Sequence, residues 1–133
     1  ASASTWQTVT VNTLQDPASI ISSFSSNRFT LAVGTYMIKA RCPVFAVDRH
    51  QAALYNVTDS VYALYGSSTR ASSANQESGE SWIIKQLTVS GGSKTYELRH
   101  WCGTAKTTNG LGLASNSSGG TEVYASVEIE KIG

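Results

Sequence analysis

The sequence predicts an all-β domain, built as a two-sheet antiparallel sandwich or jelly roll, and three observations predict it. Two runs in the last third, residues 94–102 and 122–133, alternate apolar and polar side chains with period two. That is the requirement of a strand buried on one face. The composition favours Ser, Thr, Gly, Val and Tyr, with only 14% charged residues, a balance typical of sheets. Turn signals punctuate the chain at short intervals, and no segment keeps a helical period.

The elements follow in order. Residues 6–11 form a first strand, ended by Asn12 and the Asp16-Pro17 turn signal. Residues 20–24 and 28–31 are short pieces of one edge. Gly34 turns the chain into residues 35–42, and Pro43 is expected to stop that strand because proline cannot donate into a ladder. Residues 50–57 and 61–65 are further strands, and 67–81 read as a polar loop. Residues 82–89 lead through Ser90-Gly-Gly-Ser into 94–102; a loop, a short strand at 111–114 and the long final strand complete the set. About eight main strands with hairpin-length and longer links point to a sandwich or jelly roll.

With 133 residues the chain is one domain, 1–133, of which 1–27 is the least defined part. A net charge of +1 argues against nucleic acid as a partner, and no apolar run approaches the ~20 residues that span a bilayer. The start Ala1-Ser-Ala-Ser suggests a piece excised from the C-terminal part of something longer. The two cysteines, Cys42 and Cys102, match no metal spacing and end two strands on their apolar sides. If those strands are neighbours, the thiols lie at opposite ends of a sheet. The Cα separation of about 7 Å that a disulfide needs is then out of reach, so both read as free, buried thiols.

Catalytic chemistry finds little support. His50 and His100 are the only histidines, and no nucleophile–base order surrounds them. His100 lies on an apolar face and reads as a hydrogen-bonded core residue. Asp48-Arg49-His50 reads as a turn with a charge pair, since consecutive strand residues point to opposite faces. Glu128 and Glu130 lie beside basic residues on a sheet, not about 5–10 Å apart in a cleft as glycoside hydrolysis requires. The expectation is no enzyme, no cofactor and no metal.

Some residues carry a family resemblance. Phe29-Thr-Leu-x-x-Gly-x-Tyr36, Leu54-Tyr-Asn56 and Leu87-x-Val-x-x-Gly-x-x-x-Tyr96-x-Leu98 resemble the landmarks of the tumour-necrosis-factor-like jelly roll, especially its complement-head type. Residues 48–59, 96–102, 107–114 and 122–131 are similar to a domain at the ends of bacteriophage and prophage tail fibres. The resemblance implies a homotrimer on an extracellular virion appendage that attaches to a host cell-surface glycan or protein. A structural trimerisation cap and a secreted lectin-like protein are the alternatives.

In such a fold, one sheet is expected to hold the first and last strands together with 35–42 and 94–102. Its outer face then carries Met37, Lys39, Arg41, Glu97, Arg99, Trp101, Tyr124, Ser126, Glu128 and Glu130, a balanced mixture of charges suited to setting subunit register. With both termini at the shaft end, the far end is expected to present the ligand contacts Phe45, Asp48, Arg49, Lys94 and Asn116. Tyr62, Tyr65 and Arg70 are candidates for a side groove.

Overall fold

The computed structural model describes residues 3–10, 16, 20–106, 110, 112 and 125–133. Among them are nine strands and no helix: β1 (Trp6–Thr8), β2 (Ile21–Ser25), β3 (Arg28–Leu31), β4 (Gly34–Phe45), β5 (Asp48–Asn56), β6 (Val61–Ala71), β7 (Ser78–Val89), β8 (Lys94–Cys102) and β9 (Ser126–Lys131). They pair antiparallel in two sheets. The larger has the order β2-β3-β8-β5-β6, with β1 also against β8; the smaller has the order β7-β4-β9. The chain therefore changes sheet at every link from β3 to β9 except the β5–β6 hairpin.

Period two explains the core. Tyr36, Ile38, Ala40 and Cys42 of β4 and Ile83, Leu87 and Val89 of β7 face Phe29, Leu31, Ala52, Leu54, Tyr96 and Leu98 of the larger sheet in one buried cluster. Each large aliphatic side chain enclosed there contributes about 1.5–3 kcal/mol. The buried Tyr36 ring keeps its polar tip satisfied by donating from Oη to the Ala32 carbonyl at 2.8 Å.

The turns follow local chemistry. Ser26 and Asn27 both have positive φ, 53° and 64°, the geometry of a two-residue hairpin turn that matches strand twist. Gly91 and Gly92, at φ of 75° and 116°, lead β7 out of one sheet and β8 into the other.

Four expectations are corrected. The strand at 94–102 does not join 35–42: β8 pairs with β5, β3 and β1, while β4 pairs with β7 and β9. Alternation assigns side chains to faces and leaves strand partners open. Pro43 does not end β4, which continues to Phe45 along β7. Pairing with β9 stops at Arg41, so among the described residues this stretch has β7 as its one neighbour in the sheet. The expected loop at 67–81 shrinks to the link 72–77, because β6 runs on to Ala71 and β7 starts at Ser78. Lastly, β1 begins near Cys102, whereas Gly133 bonds Thr35, so the first and last strands enter and leave at opposite ends.

A bulge explains how β6 continues. The β5–β6 register slips between Gln51 and Ala53, so the ladder is broken around Ala52. The side chain of Ser81, from the opposite sheet, fills that break. Its Oγ accepts from the Ala52 amide at 2.9 Å and donates to the Ser67 carbonyl at 2.6 Å. Ser67 Oγ accepts in turn from the Trp82 amide at 3.0 Å. β6 and β7 approach so closely that a Cβ on Gly66 would meet Ser81 Oγ at 2.8 Å and the Trp82 carbonyl at 3.0 Å. Ser81→Ala strands a buried amide and a carbonyl, so chemical denaturation is expected to show a loss of about 1–3 kcal/mol with the sheet spectrum unchanged.

Candidate functional site

The outer face of the larger sheet carries a continuous aromatic and charged array. In register across it lie Arg28, Glu97 and Tyr55, with Tyr62 beyond on β6. The next row places Thr8 beside Arg99, then Ala53 and Tyr65. The Trp6 ring reaches past β8 and β5, its centroid 5.1 Å from Tyr62 and 6.2 Å from Tyr65. Tyr62 stacks on Tyr65 at 5.6 Å and meets Tyr55 edge-on at 4.8 Å. The fully buried methyl of Ala53 leaves room for these rings on the outer face.

An ion triad anchors the array. Glu97 points outward by parity, yet it is only 1% exposed. It accepts from Arg28 Nε at 3.2 Å and from Arg99 Nε at 2.7 Å. The Arg99 guanidinium lies 3.5 Å over the Tyr55 ring and donates to Tyr62 Oη at 3.2 Å. One carboxylate thus fixes the cation that fixes two rings. Glu97 and Arg99 were expected in a subunit interface with β4. The structure places them, with Trp101, on the face of the other sheet.

The outer face of the smaller sheet gathers the rest of that set. Met37, Lys39 and Arg41 of β4 lie opposite Glu130, Glu128 and Ser126 of β9 on one side, and Gln86, Ile84 and Trp82 of β7 on the other. Arg41 pairs with Glu80 at 3.0 Å. Trp82 and Ile84 are 44% and 60% exposed, which makes an apolar strip beside mixed charges. Tyr124 lies outside the described residues.

The proposed tip contacts do not converge. Phe45 is buried, with Lys106 Nζ 5.5 Å from its ring centre. Lys94 begins β8 at the other end of the sandwich, where it donates to Asp59 at 3.1 Å. Asn116 lies outside the described residues. Asp48 and Arg49 do share an open cleft of about 320 Å³ with Arg70, Gly103 and Thr104. Asp48 is held by the Ser73 amide and hydroxyl and by the Thr104 hydroxyl. The nearest cation is Arg70, at 4.0 Å, and not the adjacent Arg49. Arg70 therefore lies away from the Tyr62–Tyr65 pair with which it was grouped.

Inside the sandwich, four polar side chains meet near that same end. Cys42 and Cys102 are free and buried. Because β4 and β8 face each other from different sheets, Cys102 is close enough to raise the Cys42 thiol further, which overturns the geometry that put the two at opposite ends of one sheet. Cys42 Sγ is 3.8 Å from His50 Nε2, and Cys102 Sγ is 3.3 Å from His100 Nδ1. Burial pushes the Cys42 thiol up to about 12 and holds His50 and His100 down, at about 3 and about 4. The residue spacing concealed this cluster because its members come from three strands of two sheets.

No family model, curated protein or solved structure matches the chain.

Two outcomes test this account. Hydrogen bonds, first from the Ser73 amide, lower the Asp48 carboxyl to about 2, below its unfolded value of about 4. Its stabilisation is therefore present above about pH 4 and lost as the pH falls toward 2. Asp48→Asn is expected to flatten that limb of the melting temperature against pH. Glu97→Ala leaves two guanidiniums facing each other. Its cost in denaturant is expected at about 2–3 kcal/mol, below the roughly 3–5 kcal/mol of a fully enclosed pair because Arg28 is half in water.

Proposed function

We propose that the chain is a non-catalytic attachment module, a homotrimeric jelly roll at the end of a phage-type fibre outside the cell, which holds a host cell-surface glycan. The observation that carries the reading is the aromatic array of Trp6, Tyr55, Tyr62 and Tyr65 around Arg99. Ring faces stack on the C–H side of a sugar, and the guanidinium and the nearby Gln51 amide suit its hydroxyls. The rings are held by one another and by the ion triad, so little side-chain freedom is lost on binding. This side face replaces the loop tip as the contact surface.

The jelly-roll reading is supported by the repeated change of sheet from β3 to β9. Self-association is supported by the outer face of β7-β4-β9. Trp82 and Ile84 there offer an apolar strip, and Lys39, Arg41, Glu128 and Glu130 offer both signs of charge to a second copy. Three shallow glycan sites on one trimer gain avidity without any of them being tight. The same strip favours the second reading, a structural cap that registers a fibre and binds no ligand.

The intact chain separates these readings. Light scattering is expected to give a trimer, and Ile84→Glu a monomer. On a glycan array and in whole-cell adsorption, the trimer is expected to bind and Tyr65→Ala to lose binding at least tenfold while remaining trimeric. A trimer that binds no sugar and no cell leaves the structural cap; a monomeric wild-type chain removes both readings.

A further inference from the structure

The buried cysteine–histidine cluster has the form of a metal site. The donor atoms of Cys42, His50 and His100 all lie within 4.8 Å of one another. A tetrahedral zinc ion, with bonds of about 2.3 Å to sulfur and 2.0–2.1 Å to nitrogen, sets its ligand atoms about 3.4–3.6 Å apart. The 3.8 Å from Cys42 Sγ to His50 Nε2 is already near that spacing. The two imidazoles come from adjacent β5 and β8, with ring centres 5.4 Å apart, and the thiol descends from β4 across the core. The widest donor separation, at most 4.8 Å, exceeds that spacing by about 1.2–1.4 Å.

The cluster does not satisfy itself. His50 is 2% exposed, and its Nδ1 has no hydrogen-bond partner. The ring's two nitrogens point apart, so with Nε2 turned toward Cys42 Sγ an ion held there leaves Nδ1 as the protonated nitrogen. The other contacts are sulfur–nitrogen pairs at 3.8 and 3.3 Å, which are weak hydrogen bonds at best.

We infer that Cys42, His50 and His100 bind a zinc-class transition-metal ion, with the Cys102 thiol beside His100 as the candidate fourth ligand. A thiol and imidazoles without a carboxylate select a borderline or soft cation and disfavour calcium and magnesium. An imidazole ligates through the lone pair of its unprotonated nitrogen. The thiol proton leaves to solvent as the Zn–S bond forms, and the cation offsets the thiolate charge that the dry core otherwise resists. Joining β4 to β5 and β8, the ion would staple the two sheets at the Phe45 end. This site is independent of the attachment reading.

Cobalt(II) and zinc(II) alone are the probes, added to the reduced full chain both in the native state and during refolding, so that the enclosed site is reached. The expected result is one ion per chain, a thiolate-to-cobalt charge-transfer band with tetrahedral d–d bands, bleaching by zinc, and a higher melting temperature with zinc. Cys42→Ser is expected to at least halve the charge-transfer band, Cys42→Ser with Cys102→Ser to abolish it, and Tyr65→Ala to leave it unchanged. X-ray absorption of the zinc form is expected to show sulfur and imidazole neighbours. Refolded wild-type chain with no charge-transfer band and no thermal shift overturns the inference, as does a zinc shell of nitrogen and oxygen only.

Discussion

Everything in this fold depends on β4 lying face to face with β5 and β8. Tyr36, Ile38, Ala40 and Cys42 fill one side of that contact, and Leu54, Tyr96, Leu98 and the two histidines fill the other. Apolar burial is non-directional, so it holds the sheets together without fixing their offset. The polar links fix it. Ser81 reaches from β7 into the bulge of β5 and β6, and the cysteine–histidine cluster spans the layers near the Phe45 end.

This arrangement turns two strand faces outward with different chemistry. On the larger sheet, Glu97 gathers Arg28 and Arg99, and Arg99 organises Tyr55 and Tyr62. A buried carboxylate on an outer face makes sense only as part of such a set, since its desolvation must be offset by both guanidiniums. The smaller sheet leaves Trp82 and Ile84 in water between charges of both signs. The first face is pre-ordered by its own contacts; the second is covered by nothing within the described chain.

The sequence was legible wherever a local rule applied. Residues 94–102 and 35–42 alternate so regularly that their inward and outward side chains were readable from parity alone. Gly66 was not legible in this way. Gly66-Ser-Ser-Thr has neither alternation nor apolar residues, yet it continues β6 because the bulge and Ser81 supply bonds from another sheet. Pro43 reads as a stop, yet its strand continues along β7 to Phe45.

By itself, the sequence determined that the chain is all-β, where its main strands lie, and which residues of each strand share a side. Those are properties of one strand and its pleat. Only the tertiary structure decided that β8 belongs with β5 and not with β4, which divides Glu97 and Arg99 from Lys39 and Glu128. It also decided that Lys94 and Asp48 sit at opposite ends, and that Cys42, His50 and His100 meet. The physical reason is that backbone hydrogen bonds are the same for every strand pair. Partner choice is therefore settled by how whole faces pack against each other, and no short stretch of residues encodes it.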